Sequence, residues 1–175
     1  DVGGYTTIMH MKRSKELLLR WEEMNVFSPL FRTHEGNQPI HNVQFDDDEE
    51  LLAHLRKCGK MHVALKPYLK KLVEEQSSDG TPVMRPLFYH YDEKPAYTEK
   101  TEYLLGRDLL VAPVYEEGTK KRQVYLPKDV WVHLFDGTEY TGGQIMVDAP
   151  IGKPPVFVRR DSPDYEALMK LANIL

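Results

Sequence analysis

Cysteine is the scarcest residue here, and Cys58 is the only one. A single thiol cannot close an internal disulfide, which favours a reducing, cytoplasmic setting, and zinc sites built on paired cysteines are excluded. A basic excess is also missing. Lys and Arg number 23 against 27 Asp and Glu, a net charge of −4, with a pI near 6.0. With no basic cluster either, there is no electrostatic case for a nucleic-acid partner. No apolar run approaches the roughly 20 residues of a membrane span, no signal peptide is visible, and there is no internal repeat or low-complexity tract. What is present is ordinary for a globular chain: 175 residues, 41% hydrophobic and 29% charged, enough for one domain or pieces of two.

The pattern splits near residue 80. Asp1-Val2-Gly3-Gly4-Tyr5 reads as a strand end breaking into a tight turn, its glycines permitting positive φ and close backbone approach. Ser14 is placed to cap a helix with Glu16 in its first turn, and Leu17, Leu18, Trp21 and Met24 recur at helical spacing, as residues facing the core would. Val26–Leu30 is short, apolar and β-prone, so a second strand is expected there. The acid run Asp46–Glu50 lacks the spacing and sharp glycine turn of a calcium loop. It precedes a helix, where negative charge is favoured. Apolar positions from Leu51 to Leu72 keep a helical spacing, with Pro67 expected to kink or divide the helix. His54 and His62 are two turns apart, too far to share a metal.

Beyond Gly80 come short β-rich runs punctuated by Gly, Pro and Asp: Val83–His90, Tyr103–Leu105, Leu109–Val114, Gln123–Leu126, Val130–Phe135, Gln144–Val147 and Val156–Val158. They predict an antiparallel sandwich with Leu109–Val114 as a buried central strand, followed by a short helix begun by Ser162 and Pro163. Two β/α units cannot close an eight-stranded barrel. Since the chain begins with Asp1 rather than methionine, a piece of a longer protein is expected.

The candidate site is the loop Arg32-Thr33-His34-Glu35-Gly36-Asn37, at the carboxyl end of the second expected strand, where α/β folds bind ligands. An arginine, a histidine and a carboxylate within four residues suit a polyhydroxylated or anionic ligand. A polar loop in which Arg32 and Glu35 pair, or cap the next helix, is the alternative.

Four stretches then carry a resemblance: Asp1–Tyr5, Phe31–His34, Pro82–Phe88 and Leu104–Val114, in that order and spacing. Together they resemble the carboxyl-terminal third of glycoside hydrolase family thirty-one, the retaining α-glucosidases and α-xylosidases. The resemblance implies the last units of a (β/α)8 catalytic barrel at residues 1–80, a proximal β-sandwich at 81–160 and a terminal helix at 161–175. Typical α-glucosidases have phenylalanine where this chain has Tyr5, and they lack Glu35-Gly36-Asn37 after the histidine. Tyr5, the Met11–Trp21 run and Arg32–Asn37 resemble instead the sulfoquinovosidase branch.

From that branch follow expected roles. Tyr5 helps hold a sulfonate, His34 hydrogen-bonds sugar hydroxyls, and Arg32 and Asp1 buttress the sugar subsite, with Glu35 and Asn37 in support. The family's nucleophile and acid/base are aspartates upstream of the first motif, so neither catalytic residue is expected in this chain. A small-molecule glycoside is the expected partner, together with the amino-terminal part of the protein's own barrel; no cofactor, metal or membrane is implied. Two other readings stay open: an ordinary α-glucosidase or α-xylosidase, and a non-catalytic carbohydrate-binding module.

Overall fold

A computed structural model describes residues 1–9 and 11–174. The first half is a β/α crossover. Val2 and Thr33 form a parallel bridge, with the Val2 amide donating to the Arg32 carbonyl at 2.9 Å. Helix α1, Lys15–Val26, runs between them. Its start follows local rules: the Ser14 hydroxyl accepts from the Leu17 amide at 3.2 Å, and Glu16 lies in the first turn.

The acid run caps α2, Glu49–Ala64, through the Asp48 carboxylate, which accepts from the Leu51 amide at 2.9 Å. Lys15 crosses from α1 to Asp48 and Glu50, 2.6 Å from each. Leu65 ends α2 and starts α3, Lys66–Asp79, with Pro67 in its opening turn, so the expected long helix is two. Gly80, at φ 83°, closes α3 by donating to the Gln76 carbonyl.

The second half is built from eight short strands and two short helices. These are β1 (Met84–Arg85), α4 (Lys94–Thr98), β2 (Tyr103–Leu105), β3 (Leu109–Val111), β4 (Lys121–Leu126), β5 (Trp131–His133), β6 (Glu139–Tyr140), β7 (Gly143–Asp148), β8 (Val156–Arg159) and α5 (Tyr165–Met169). The strands form a six-stranded antiparallel sheet, ordered β1-β2-β3-β8-β5-β6, and a separate β4–β7 pair.

Side chains alternate across the large sheet as a pleat requires. Leu104, Leu110 and Phe157 enter a core shared with Val124, Leu126 and Val147 of the β4–β7 pair. Leu105, Leu109, Val111, Val156 and Val158 enter the other core, with Phe27 after α1, Cys58 and Met61 of α2, and Leu69 and Leu72 of α3. The central strands are thus buried on both faces, as the apolar run Leu109–Val114 leads one to expect, although the strand itself ends at Val111, short of the run.

The helical half is fixed to the sandwich by polar contacts as well. Arg20 of α1 donates to the carbonyls of Thr119 and Ala149 at 3.0 and 2.8 Å. The Tyr68 hydroxyl of α3 donates to the Leu105 carbonyl at 2.9 Å. Gly106 turns beneath that hydroxyl at φ 63°, where an added Cβ would lie 2.5 Å from the phenol oxygen.

Three expectations need correction. Val26–Leu30 is no strand: Val26 ends α1, and it and Phe27 are buried among the helices, so packing overrides β propensity, while Pro29 could not join a ladder. Leu17 is 41% exposed, because α1 buries Leu18, Leu19 and Val26 together with charged Arg20, Glu22 and Glu23. Val83–His90 gives only β1, since Pro86 lacks an amide and a single 3₁₀ turn, Leu87–Tyr89, follows. The small elements α4 and β6 were not foreseen.

One buried group sets a pH dependence. Glu102 is 7% exposed; one oxygen accepts from the Tyr125 amide at 2.9 Å and the other has no partner among the described residues. Burial pushes its carboxyl up to about 8. Between the ordinary carboxylate range and that value the fold holds a proton that the unfolded chain has released, so its contribution to stability falls as pH rises. Glu102→Gln should therefore match the parent protein near pH 4 and exceed it in Tm near pH 9, as a melting series across that range would show. A difference that does not change with pH would remove Glu102 as the cause.

Candidate functional site

The loops on either side of the Val2–Thr33 bridge form one polar constellation, assembled by a side chain that belongs to neither. Arg13 is 5% exposed, and each of its guanidinium N–H groups has an acceptor. Nε donates to the Val43 carbonyl at 2.8 Å. Nη1 reaches the carbonyls of His34 at 2.7 Å and Val2 at 3.4 Å. Nη2 reaches the Glu35 carbonyl at 3.1 Å and the Gln44 side-chain oxygen at 2.8 Å. Burial lowers the pKa of the guanidinium, but arginine keeps its charge inside proteins. Gly3, at φ 83°, allows this approach, since an added Cβ would stand 2.5 Å from Arg13 Cδ.

Amide side chains complete the scaffold. The Asn37 side-chain oxygen accepts from the Thr7 backbone amide at 2.7 Å, and the Asn37 backbone amide donates to the Tyr5 carbonyl at 2.9 Å. Asn42, buried, accepts from the Thr7 hydroxyl at 2.6 Å and donates to the Glu35 carbonyl at 3.3 Å. Gly36, at φ 84°, sits so close that a Cβ would lie 2.5 Å from Asn42 Nδ2.

Held this way, Tyr5 and His34 meet edge to face with ring centroids 5.0 Å apart. His34 Nδ1 accepts from the Gly36 amide at 2.8 Å. In the neutral ring the proton is therefore on Nε2, which is left as a donor. Tyr5 is 50% exposed and its hydroxyl makes no hydrogen bond among the described residues. Arg32 Nη1 lies 3.6 Å from Asp1 Oδ1, so its partner is Asp1 rather than Glu35. The Glu35 carboxylate is exposed; its support comes through its carbonyl, which accepts from Arg13, Asn42 and Gln44.

All six sequence-selected residues thus lie on two adjoining loops. Arg13, Asn42 and Gln44 were not foreseen as parts of the constellation. Arg13 lies in the Met11–Trp21 stretch, but its acceptors are mainly backbone carbonyls that leave no trace in residue identity.

The arrangement can present one phenol, one imidazole N–H and a carboxylate–guanidinium pair to a hydroxyl-rich or anionic ligand. A β/α crossover with polar loops at its strand ends, joined to an antiparallel sandwich, is the carboxyl-terminal architecture of a barrel glycoside hydrolase. The family model for the glycosyl hydrolases family 31 TIM-barrel domain matches residues 1–72, and that for the family 31 C-terminal domain matches residues 80–162. The chain belongs to glycosyl hydrolase family 31.

Among curated relatives, the sulfoquinovosidase of Escherichia coli K12 is 56% identical over 163 residues, covering 93% of this chain and 24% of that protein. The sulfoquinovosidase of Agrobacterium fabrum is 46% identical, covering 99% of this chain and 27% of that protein. A solved family 31 sulfoquinovosidase from E. rectale, in complex with the aza-sugar inhibitor IFGSQ, superposes with a TM-score of 0.96 at 47% identity. It covers 99% of this chain and 26% of that one. The chain spans about a quarter of the length of these relatives.

Replacing Arg13 by lysine keeps the charge but removes the fork that reaches five acceptors. Arg13→Lys should raise hydrogen exchange at the Val2 and Gly4 amides and at those of Gly36 and Asn37 together, leaving the middle of α1 unchanged. Exchange rising in only one of the two loops would show that Arg13 does not couple them.

Proposed function

We propose that the protein carrying this chain is a retaining glycoside hydrolase acting on α-sulfoquinovosides. In this reading the chain supplies sugar- and sulfonate-binding side chains, and the reacting carboxylates come from elsewhere in the same barrel. The observation that carries it is the Tyr5–His34 pair, clamped from behind, with one donor on each ring unengaged among the described residues. The names of the two curated relatives and of the solved neighbour support the substrate class.

His34 donates from Nε2 to a sugar hydroxyl. Such a bond favours reaction when it tightens as the ring distorts toward an oxocarbenium-like transition state. Asp1 and Arg32 hold each other beside it, shaping the subsite. The Tyr5 phenol donates to the sulfonate, directly or through a water, as a neutral group suited to an anion that is already charged. Hydrolysis with retention needs two carboxylates about 5–5.5 Å apart. Glu35 does not take either role, its part being to anchor the loop through its carbonyl. The chain accordingly depends on the rest of its own barrel. A cytoplasmic setting belongs to the same reading, supported by Cys58 being a buried free thiol.

Tyr5→Phe in the full-length enzyme tests the substrate. A hydrogen bond to a charged group contributes about 1.5–3 kcal/mol, or roughly 10- to 150-fold in kcat/KM. The loss should appear with an aryl α-sulfoquinovoside and be nearly absent with the matching glucoside, whose uncharged 6-hydroxyl is easily rehydrated. Measuring both on one variant cancels any folding defect. Equal losses would make Tyr5 a packing residue and point to an ordinary α-glucosidase. His34→Ala should lower kcat/KM on the order of 10²-fold with the sulfoquinovoside; an unchanged value would reduce His34 to a structural role.

A further inference from the structure

Between α1 and α2, three donors converge that neither the sandwich nor the loops use. Glu22 of α1 is wholly buried, and neither of its carboxylate oxygens has a hydrogen-bond partner among the described residues. Facing it, His54 and Cys58 stand four residues apart on α2, one turn of helix, so imidazole and thiol share a face. One ligating atom from each of the three lies within 4.8 Å of the other two. His54 Nε2 is 3.8 Å from Glu22 Oε2 and 3.1 Å from the Leu19 carbonyl.

A carboxylate sealed from water with no partner needs a proton or a cation. The neighbouring charges are committed elsewhere. Arg20 is paired with Glu23 at 3.2 Å, Lys57 donates to the Gly152 carbonyl at 2.9 Å, and Arg13 is fully engaged by the loops. We propose that Glu22, His54 and Cys58 form a structural site for a borderline-soft divalent cation, best matched by zinc, that ties α1 to α2.

The donor set chooses the metal. One carboxylate oxygen, one imidazole nitrogen and one thiolate are the three ligand types that zinc accepts, whereas magnesium and calcium take oxygen alone. Charge closes as well. Binding breaks the Cys58 S–H bond and the Glu22 O–H bond that keeps the buried carboxyl neutral without a cation, forms zinc–sulfur and zinc–oxygen bonds, and releases both protons to solvent. The thiolate and the Glu22 carboxylate then balance the dication, giving a neutral buried unit. Without a cation, burial and the adjacent Glu22 and Glu23 push the Cys58 thiol up, the sense that a bound metal reverses. The Leu19 carbonyl lies against Nε2, so it can hold the ring as an outer-shell acceptor when Nδ1 ligates, whereas ligation through Nε2 requires that nitrogen to give up its bond to Leu19. No cysteine pair marks the site in the sequence, because its third donor comes from a different helix.

The test is metal binding by the full-length protein after chelator treatment, with Glu22→Gln and Cys58→Ser as nearly isosteric variants. Added cobalt(II) should produce a near-ultraviolet thiolate-to-cobalt absorption in the parent protein that Cys58→Ser abolishes, so any other thiol cancels in the difference. Zinc should raise the Tm of the parent, and either substitution should weaken zinc binding tenfold or more. Absence of a Cys58-dependent band would overturn the proposal, as would an equal zinc shift in parent and variants. Glu22→Gln raising Tm while the parent binds no metal would also sink it, by showing that the carboxylate is simply held protonated.

Discussion

The constraint on which the site depends is the burial of one guanidinium. Arg13 gives up its hydration, and such a group is tolerated inside a protein only when its donors are met. Its five donors find the carbonyls of Val2, His34, Glu35 and Val43 and the side-chain oxygen of Gln44. Leaving any one unmet would cost about 1–3 kcal/mol or more, so the acceptors cannot drift apart independently. Three segments distant in sequence thereby become one rigid object. Lysine, with three donors on a flexible stem, could not impose the same planar arrangement.

That object is aimed by what lies behind it. Ser14 starts α1 immediately after Arg13, so the capped end of the helix fixes where the arginine emerges. The far end of α1 is held by Val26 and Phe27 in the core shared with β2, β3 and β8, and its middle by Arg20 reaching the carbonyls of Thr119 and Ala149. The sandwich therefore does more than follow the barrel segment in sequence. It forms the far wall of the core into which the barrel helices pack, and a disturbance there can reach the loops through α1.

What the sequence discloses follows from how local each interaction is. Ser14, Asp48 and Pro67 act within a turn of themselves, and each does what its residue type predicts. The run Leu109–Val114 reads as a central strand because burial on both faces forces uniform apolarity, and its first three residues form β3. Val26–Leu30 misleads because its β-prone residues are claimed by helix packing, which no short window displays. The motif residues Asp1, Tyr5, Arg32, His34, Glu35 and Asn37 are legible as chemistry-bearing types. Their mutual geometry is not, since the groups that set it are peptide carbonyls and the amides of Asn42 and Gln44.

Polar atoms in the constellation divide between those committed to the scaffold and those left at its surface. Asn37, Asn42, Gly36 and Arg13 spend their polar atoms on one another and on backbone, so they have little left to offer a ligand. The Gly36 amide takes Nδ1 of His34 and thereby fixes which ring nitrogen carries the proton. Tyr5 packs edge to face with that imidazole, and its hydroxyl has no hydrogen-bond partner among the described residues. Each ring is thus held through one part and available through another. A donor whose ring is already held in place loses little entropy when a ligand engages it.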